Sequence, residues 1–429
     1  MILLLGSFFL LLILKVPVSF SLLTSSVLYL MSQGMPPFMA VIRMAMGVGD
    51  SFPLMAVPFF ILAGAIMNTG GITTRIFDFA DKVCGHITGG LGHANILASI
   101  IFSGMSGTAI ADTGGLGAIE LKAMKDAGYD DDFSLAITGA SSIIGPIIPP
   151  SVPAVVFGVV GGVSIGRLFI GGVVPGLIMG FSMGLFVYFQ SKRRGYPKKK
   201  WVSLGNFLCE LVSSTRKSFF ALLTPVVIIG GIFIGVITPT EAAILAVVYS
   251  LILSIAYGDF KKEHFAKVLR ETVDGTVSVM FIVSCASIFG YILASEQIPQ
   301  KMADFFLTTI PNKYIALLVI NILLLIAGTF METISAITIL TPVLVPVAVG
   351  FGIDPVHFGI VMILNLMIGL MTPPVGMVLY VLSGVSKVPF EDIVKAIWPY
   401  IIVLTIVLLI ITFVPAIVLF LPDLIFAAS

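Results

Sequence analysis

Gly145-Pro146-Ile147-Ile148-Pro149-Pro150-Ser151 lies inside a long apolar stretch, and Gly369-Leu370-Met371-Thr372-Pro373-Pro374-Val375 lies inside another, 224 residues further on. Proline has no N–H, and its ring clashes with the carbonyl one turn back, so a Gly…Pro-Pro run unwinds a helix and frees carbonyl oxygens. At membrane depth such irregular backbone survives only where protein or a water-filled cavity satisfies it. About 40 residues before each run comes an apolar segment rich in Gly, Ser and Thr: Ser103-Gly104-Met105-Ser106-Gly107-Thr108 in the first case, Gly328-Thr329-Phe330-Met331-Glu332-Thr333 in the second. A shift of 224 residues lays Gly104 on Gly328, Gly128 on Gly352, Asp130 on Asp354, Gly145 on Gly369 and Pro149-Pro150 on Pro373-Pro374. The two halves share little else, so what recurs is the set of backbone-breaking residues. Two halves, each with a re-entrant hairpin followed by a broken helix, form the pattern of secondary transporters built from repeats. Taken singly, either motif also reads as small residues allowing close helix packing beside a proline kink. The pairing in register counts against that reading.

The remaining composition agrees. The chain has 429 residues, 58% of them hydrophobic, with a mean hydropathy of +1.14 and 10% charged residues. Soluble domains carry about 25% charged residues; this chain has too few to cover a water-soluble globule, whereas lipid solvates an apolar exterior. The fold class is therefore an all-α polytopic membrane protein. A net charge of +1, with no basic helix interleaved with aromatics, excludes a nucleic-acid partner. Cys84, Cys209 and Cys285 are isolated and form neither a disulfide framework nor a zinc site. No GxxxxGK[ST] loop occurs, so energy must come from an ion gradient or a partner subunit. Residues 2–31 read as a first membrane segment rather than a signal peptide, for lack of a basic start and a small-residue cleavage site.

Hydropathy places further helices near 52–68, 133–160, 165–190, 219–236, 240–257, 276–294, 314–327, 356–370 and 396–420. Ile72, Ile76, Phe79 and Val83 share one helical face, which suggests a helix lying along the interface. Residues 191–217 hold eight of the 23 basic side chains against one acid, Glu210, and the positive-inside rule makes this linker cytoplasmic. The next loop on the same side carries Lys261, Lys262, Lys267 and Arg270, which keeps the topology consistent. Binding of anionic lipid is a second reading of the basic cluster. The linker divides the chain into a first repeat over 1–190 and a second over 218–429.

Hydroxyls and freed carbonyls at one point make a cage of neutral oxygens suited to a hard monovalent cation such as Na⁺, and the pairing predicts two such sites. Half-helix N-termini at the same breaks present free N–H groups that suit an anionic substrate such as a carboxylate. Asp112, Glu241 and Glu332 are ionisable groups within apolar sequence, functional unless they serve as caps or structural ion pairs. Asn68 reads as a helix C-cap or turn residue. The different-class alternative is an intramembrane hydrolase. Gly104-Met105-Ser106-Gly107 matches a GxSG serine-protease string with His357 as its base, and Gly47-Val48-Gly49-Asp50 matches a GxGD aspartyl string. Its Tyr129-Asp130 partner, however, follows in the wrong order, and four-letter strings arise by chance in a Gly-rich chain.

Four longer strings make the sequence similar to a known family: Pro53-Leu54-Met55-Ala56-Val57-Pro58-Phe59-Phe60-Ile61-Leu62-Ala63-Gly64, Phe102 through Gly107, Thr238-Pro239-Thr240-Glu241-Ala242-Ala243, and Asp354-Pro355-Val356-His357-Phe358-Gly359 leading into Gly369 through Gly376. Over essentially its whole length the chain resembles the large membrane subunit of tripartite ATP-independent periplasmic (TRAP) transporters. The resemblance implies an ion-transporter-superfamily fold of inverted repeats, in which a scaffold surrounds a mobile domain with two hairpins that moves as an elevator. It implies Na⁺-driven uptake of an organic acid delivered by a periplasmic binding protein in the bacterial inner membrane. A separate small membrane subunit is expected, because the chain starts directly at the large subunit's first segment. Family roles carried onto matching positions put one Na⁺ at Ser103, Ser106, Gly145, Ile148 and Pro149, and a second at Gly328, Gly369, Thr372 and Val375. Phe330 stands where Ser106 would fall, so the second site relies more on backbone. Thr108, Glu332, Thr333 and Ser335, at or just past the hairpin turns, are the candidate substrate contacts. The chain most resembles sialic-acid members, with C4-dicarboxylate transport, including a stand-alone Na⁺/C4-dicarboxylate symporter, as the alternative.

Overall fold

Residues 2–31 are not one span. In the structure, a computed structural model that describes residues 2–196, 198, 204–260 and 262–426, they form α1 (Ile2–Ile13) and α2 (Val18–Ser32). Lys15 takes a left-handed φ of +62° and Pro17 opens α2, so the chain reverses and the two helices pack on each other. Then come α3 (Phe38–Gly49), a single 3-10 turn at Phe52–Met55, α4 (Ala56–Thr69) and α5 (Ile72–Cys84). A first hairpin runs out along α6 (Gly90–Ser106) and back along α7 (Ala109–Gly114) and α8 (Leu116–Asp126), followed by a broken helix, α9 (Asp131–Ser142) and α10 (Val152–Gly161). The long α11 (Ile165–Arg194) leads to α12 (Leu204–Phe233), α13 (Pro239–Ala256), α14 (Lys262–Ser295) and α15 (Ile298–Thr309). The second hairpin is α16 (Lys313–Phe330) with α17 (Thr333–Gly350), and the second broken helix is α18 (Pro355–Gly369) with α19 (Met377–Ser386), before α20 (Phe390–Phe413) and α21 (Ala416–Phe426) close the described chain.

Among the described residues, seven helices are long and apolar enough to cross a membrane. The repeat is visible in the helix bounds. The shift of 224 residues carries the returning arm α7–α8, residues 109–126, onto α17, residues 333–350, and the start of α9 onto the start of α18. The arms then exchange partners: α7 packs against α19 of the second repeat, and α17 against α10 of the first. The first halves of both broken helices are buried all round: every residue of Phe133–Ser142 and of Val356–Gly369 is buried, polar side chains such as Thr138, Ser141 and Asn365 included, as expected of helices at the centre of a packed body. That body comprises α6–α11 and α16–α21. A second body packs α4 against α13 and α14, with α2 and α3 on α14. Two short helices lie between the bodies, α5 on α6 and α12, and α15 on α17 and α14.

The buried stripe of α5 is Ile72, Ile76, Phe77, Ala80 and Cys84, with Phe79 and Val83 half-buried at its edge. Arg75 on its other side pairs with Asp259 at 2.6 Å and stacks 3.9 Å from the centre of the Tyr257 ring, tying α5 to the end of α13. Helices also extend further into the basic segments than hydropathy alone suggests. Lys192, Arg193 and Arg194 belong to α11, while Lys267 and Arg270 belong to the first turns of α14. Lys199, Lys200 and Lys261 fall outside the described residues.

The end of α11 is clamped onto the start of α9. Arg194 reaches Asp130 at 3.0 Å and Asp132 at 2.7 Å, and the Tyr196 hydroxyl donates to Asp130 at 2.6 Å. Burial, followed by the Asp130 hydrogen bond, pushes the Tyr196 phenol up to about 12. The neutral phenol therefore contributes stability that is fully present below the unfolded tyrosine value of about 10 and is lost as pH rises through the folded value. Tyr196→Phe should flatten the alkaline fall of the thermal unfolding midpoint above about pH 10. Equal slopes in the two proteins would show that the phenol carries no such linkage.

Candidate functional site

The first hairpin turns at Gly107, whose φ of +63° lies in the region that favours glycine. The turn rests on the break between α9 and α10: a Cβ on Gly107 would stand 3.3 Å from the Pro150 carbonyl oxygen and from the Val152 nitrogen. Ser103, one turn before the tip, is fully buried and donates to the Ile100 carbonyl at 2.6 Å. Gly145, Ile148 and Pro149 are buried in the break, and the Pro149-Pro150 bond is cis. Ser151 donates to the Pro146 carbonyl at 2.5 Å and caps α10 by accepting from the Ala154 N–H. Among the described hydrogen bonds, none goes to the carbonyls of Gly145, Ile148 or Pro149. The Asp112 carboxylate lies directly against Gly145, where an added methyl group would collide with it. The side chain of Ser106 lies outside the described residues.

The second hairpin meets its break more closely. Gly328 and Gly369 touch backbone to backbone, and a Cβ on Gly369 would stand 2.6 Å from Gly328 Cα. Thr372 donates to the Ile368 carbonyl at 2.7 Å, Pro373-Pro374 is again cis, and Val375 is half-buried just before Gly376, where α19 begins. One turn before each seat glycine, a polar side chain bonds to the outgoing hairpin arm. Ser141 donates to Asn95 at 2.6 Å, and Asn365, its counterpart after the shift of 224, donates to Asn321 at 2.7 Å. Both seats thus offer hydroxyl and carbonyl oxygens, with one carboxylate beside the first, and this donor set fits Na⁺.

Between the hairpin tips and the second body lies a cavity of about 780 Å³, within the range of small-molecule sites. Thr108 and Glu332 line it from corresponding positions. Thr108 caps α7 by accepting from the Ala111 N–H at 3.4 Å, and Glu332 caps α17 by accepting from the Ser335 N–H at 3.1 Å. Thr333 and Ser335 are each 2% exposed and lie behind the wall, which Ile334 forms instead. From the second body come Asn68 on α4 and Lys267, Glu271 and Ser278 on α14. Asn68 accepts from Thr73 at 3.2 Å and abuts Gly115; the C-cap of α4 is Gly70, so the residue read as a cap lies in the last turn of the helix and faces the hairpin. Lys267, read from sequence as a topological charge, stands at the cavity. Glu241 is a cap: with Thr238 it completes a capping box at the start of α13. His357 is buried with Nε2 at 3.0 Å from the Ile411 carbonyl, and Asp50 ends α3.

Among the described residues the fold is all-helical and polytopic, with two repeats that each seat a re-entrant hairpin on a broken helix, and this defines a membrane-transporter architecture. The chain belongs to the family described as tripartite ATP-independent periplasmic transporter, DctM component, which matches residues 5–417. It is 47% identical over 409 residues to the sialic acid TRAP transporter large permease protein SiaM of Vibrio cholerae, covering 95% of each chain. It is 41% identical over 411 residues to the sialic acid TRAP transporter permease protein SiaT of Haemophilus influenzae, covering 96% of this chain and 66% of that protein. Against the C4-dicarboxylate TRAP transporter large permease protein DctM of Pseudomonas aeruginosa, identity is 39% over 362 residues and 84% of each chain. In fold it is similar to the crystal structure of the Alcanivorax borkumensis YdaH transporter, with a TM-score of 0.66 at 13% identity over 87% of both chains.

Proposed function

We propose that this chain is the large, transport-domain-bearing subunit of a Na⁺-coupled uptake system for an organic acid, with sialic acid as its substrate, in a bacterial inner membrane. The observation that carries this reading is the pair of seats at Gly145 and Gly369, related by the repeat, whose hairpin turns at Thr108 and Glu332 line one cavity. Na⁺ in the first seat is held by Ser103, Ser106 and the carbonyls of Gly145, Ile148 and Pro149, and in the second by Gly328, Gly369, Thr372 and Val375. Bound Na⁺ neutralises the carbonyl dipoles and fixes each hairpin tip. The organic acid occupies the cavity at Thr108 and Glu332, with Asn68 and Lys267 opposite. Lys267 stands near the basic end of α14, the end assigned to the cytoplasm, so the cavity faces inward. The body of α6–α11 and α16–α21 then moves as an elevator against α1–α4 and α12–α14, with α5 and α15 as the connecting arms. The repeats 1–190 and 218–429 meet through the cytoplasmic linker 191–217. A small membrane subunit completes the scaffold, a periplasmic binding protein delivers the substrate, and the chain performs transport rather than catalysis.

The sialic-acid assignment is supported by two relatives, the sialic acid permeases SiaM and SiaT, that match nearly the whole chain. Reconstitution with the small subunit, followed by addition of binding proteins loaded with labelled sialic acid or a labelled C4-dicarboxylate, tests it. Uptake of sialic acid alone, dependent on its binding protein, is the expected outcome. Preference for the dicarboxylate would replace the substrate. Uptake without any binding protein would make the chain a stand-alone symporter.

A further inference from the structure

Glu120 on α8 takes no part in either seat, yet it is 1% exposed in the middle of the first hairpin. One carboxylate oxygen accepts from the Asn95 amide at 2.7 Å, and the same amide donates to Thr138 at 2.8 Å. The other oxygen, Oε1, is buried without a hydrogen-bond partner. An isolated carboxylate in such a place costs far too much to keep charged unless something cationic joins it. The helices packed on α8 do not supply a cation. Asp112 on α7 is the charged group that acts on Glu120, and it is itself an acid. Of the cations nearby, Arg75 on α5 pairs with Asp259 instead; Lys82 on α5, His93 on α6, and Lys122 and Lys125 on α8 form no ion pair with it among the described residues, Asp78, Asp81, Asp126, Asp131 and Asp132 are acids, and Lys387 ends α19.

The architecture does not require an acid here. In the second hairpin the corresponding position is Leu344, buried and apolar, while the Asn321–Asn365 bond repeats the Asn95–Ser141 bond without any carboxylate. Glu120 is therefore an addition to one repeat. Its placement links two features: Asp112 joins it electrostatically to Gly145 of the first seat, and its neighbour Ile119, with Ala111 and Gly115, lines the cavity.

We propose that Glu120 is a proton-binding site of the transport domain and that its proton leaves when Na⁺ enters the first seat. This rests on the Na⁺ reading above. Two acids that act on each other in a low-dielectric interior do not both ionise, so without Na⁺ Glu120, buried beside the Asp112 charge, keeps its proton. A cation beside Asp112 offsets one negative charge and lets the second form. The Glu120 O–H bond breaks, its electron pair stays on the carboxylate, and the proton passes to cavity water. One positive charge enters the hairpin as one leaves, so this seat fills without net charge while the second seat remains purely Na⁺-binding.

The test uses the purified chain in weakly buffered, Na⁺-free detergent solution. NaCl or choline chloride is added, a pH indicator counts released protons, and radiolabelled Na⁺ binding is measured in parallel. Wild type should bind Na⁺ and release about one proton per chain that choline does not release, and Glu120→Gln should bind Na⁺ and release none. Na⁺ binding without proton release, or equal release from Glu120→Gln, overturns the assignment. No Na⁺ binding by wild type overturns the Na⁺ reading itself, and this inference with it. Should Glu120→Gln fail to fold, infrared spectra of wild type decide: Na⁺ should remove a protonated carboxylic acid C=O band, and an unchanged band overturns the proposal.

Discussion

Gly369→Ala should reduce uptake to the level of empty liposomes. The added Cβ would stand 2.6 Å from both Cα and the carbonyl carbon of Gly328 and 3.0 Å from its oxygen, all of them backbone atoms. A flexible side chain could swing aside, but here the end of α16 must retreat from the break. Overpacking of this kind typically costs about 1–3 kcal/mol, and a backbone-to-backbone collision belongs at the upper end. The same retreat spreads the oxygens of the second seat, so loss of transport should accompany a lower unfolding temperature. Gly384→Ala on α19 is the control: nothing lies within 4 Å of its Cβ, and alanine favours a helix. Wild-type uptake by Gly369→Ala would show that the contact is not needed.

Asn365→Leu should be the next most damaging change. Asn365 is fully buried, and its amide donates to the Asn321 carbonyl at 2.9 Å and to Asn321 Oδ1 at 2.7 Å, fixing α18 to the outgoing arm of the second hairpin. Leucine has a similar volume but no donor, so Oδ1 is left buried and unpaired at a cost of about 1–3 kcal/mol. Hydrogen bonds within membranes often measure less, because the reference state finds other partners. The sharper expectation is therefore non-additivity: Asn321→Leu combined with Asn365→Leu should cost less than the two single changes summed, since the Asn365 donor and its Asn321 acceptor go together and only the Thr412 hydroxyl loses a partner, as it already does in Asn321→Leu. Additive losses in a thermal double-mutant cycle would mean that the pair does not act as a unit.

The repeat was legible because the chemistry that breaks a helix is local: proline and glycine act on their own backbone wherever the chain folds. The same locality placed Thr108 and Glu332 at the hairpin turns, where both cap the returning arm. Thr333 and Ser335 follow Glu332 closely in sequence, yet helix rotation takes both into the packed interior. Rotation also decides which side chains α5 buries. Asn68 and Lys267 escaped notice as cavity residues because each has an adequate local role, one at a helix end and the other in a basic segment. Only tertiary packing brings α4 and α14 to the hairpins. The reversal after α1 was missed because apolar residues on both sides of Lys15 and Pro17 made one run of sufficient length.

Na⁺ coupling through two seats is best examined by uptake in proteoliposomes containing the chain and its small partner, with loaded binding protein outside, under an inward Na⁺ gradient or an equal choline gradient. Labelled sialic acid should accumulate only with Na⁺, and Ser103→Ala and Thr372→Ala should each weaken that accumulation in protein that still assembles. Uptake of equal rate and extent in choline would contradict the Na⁺ seats and the mechanism built on them.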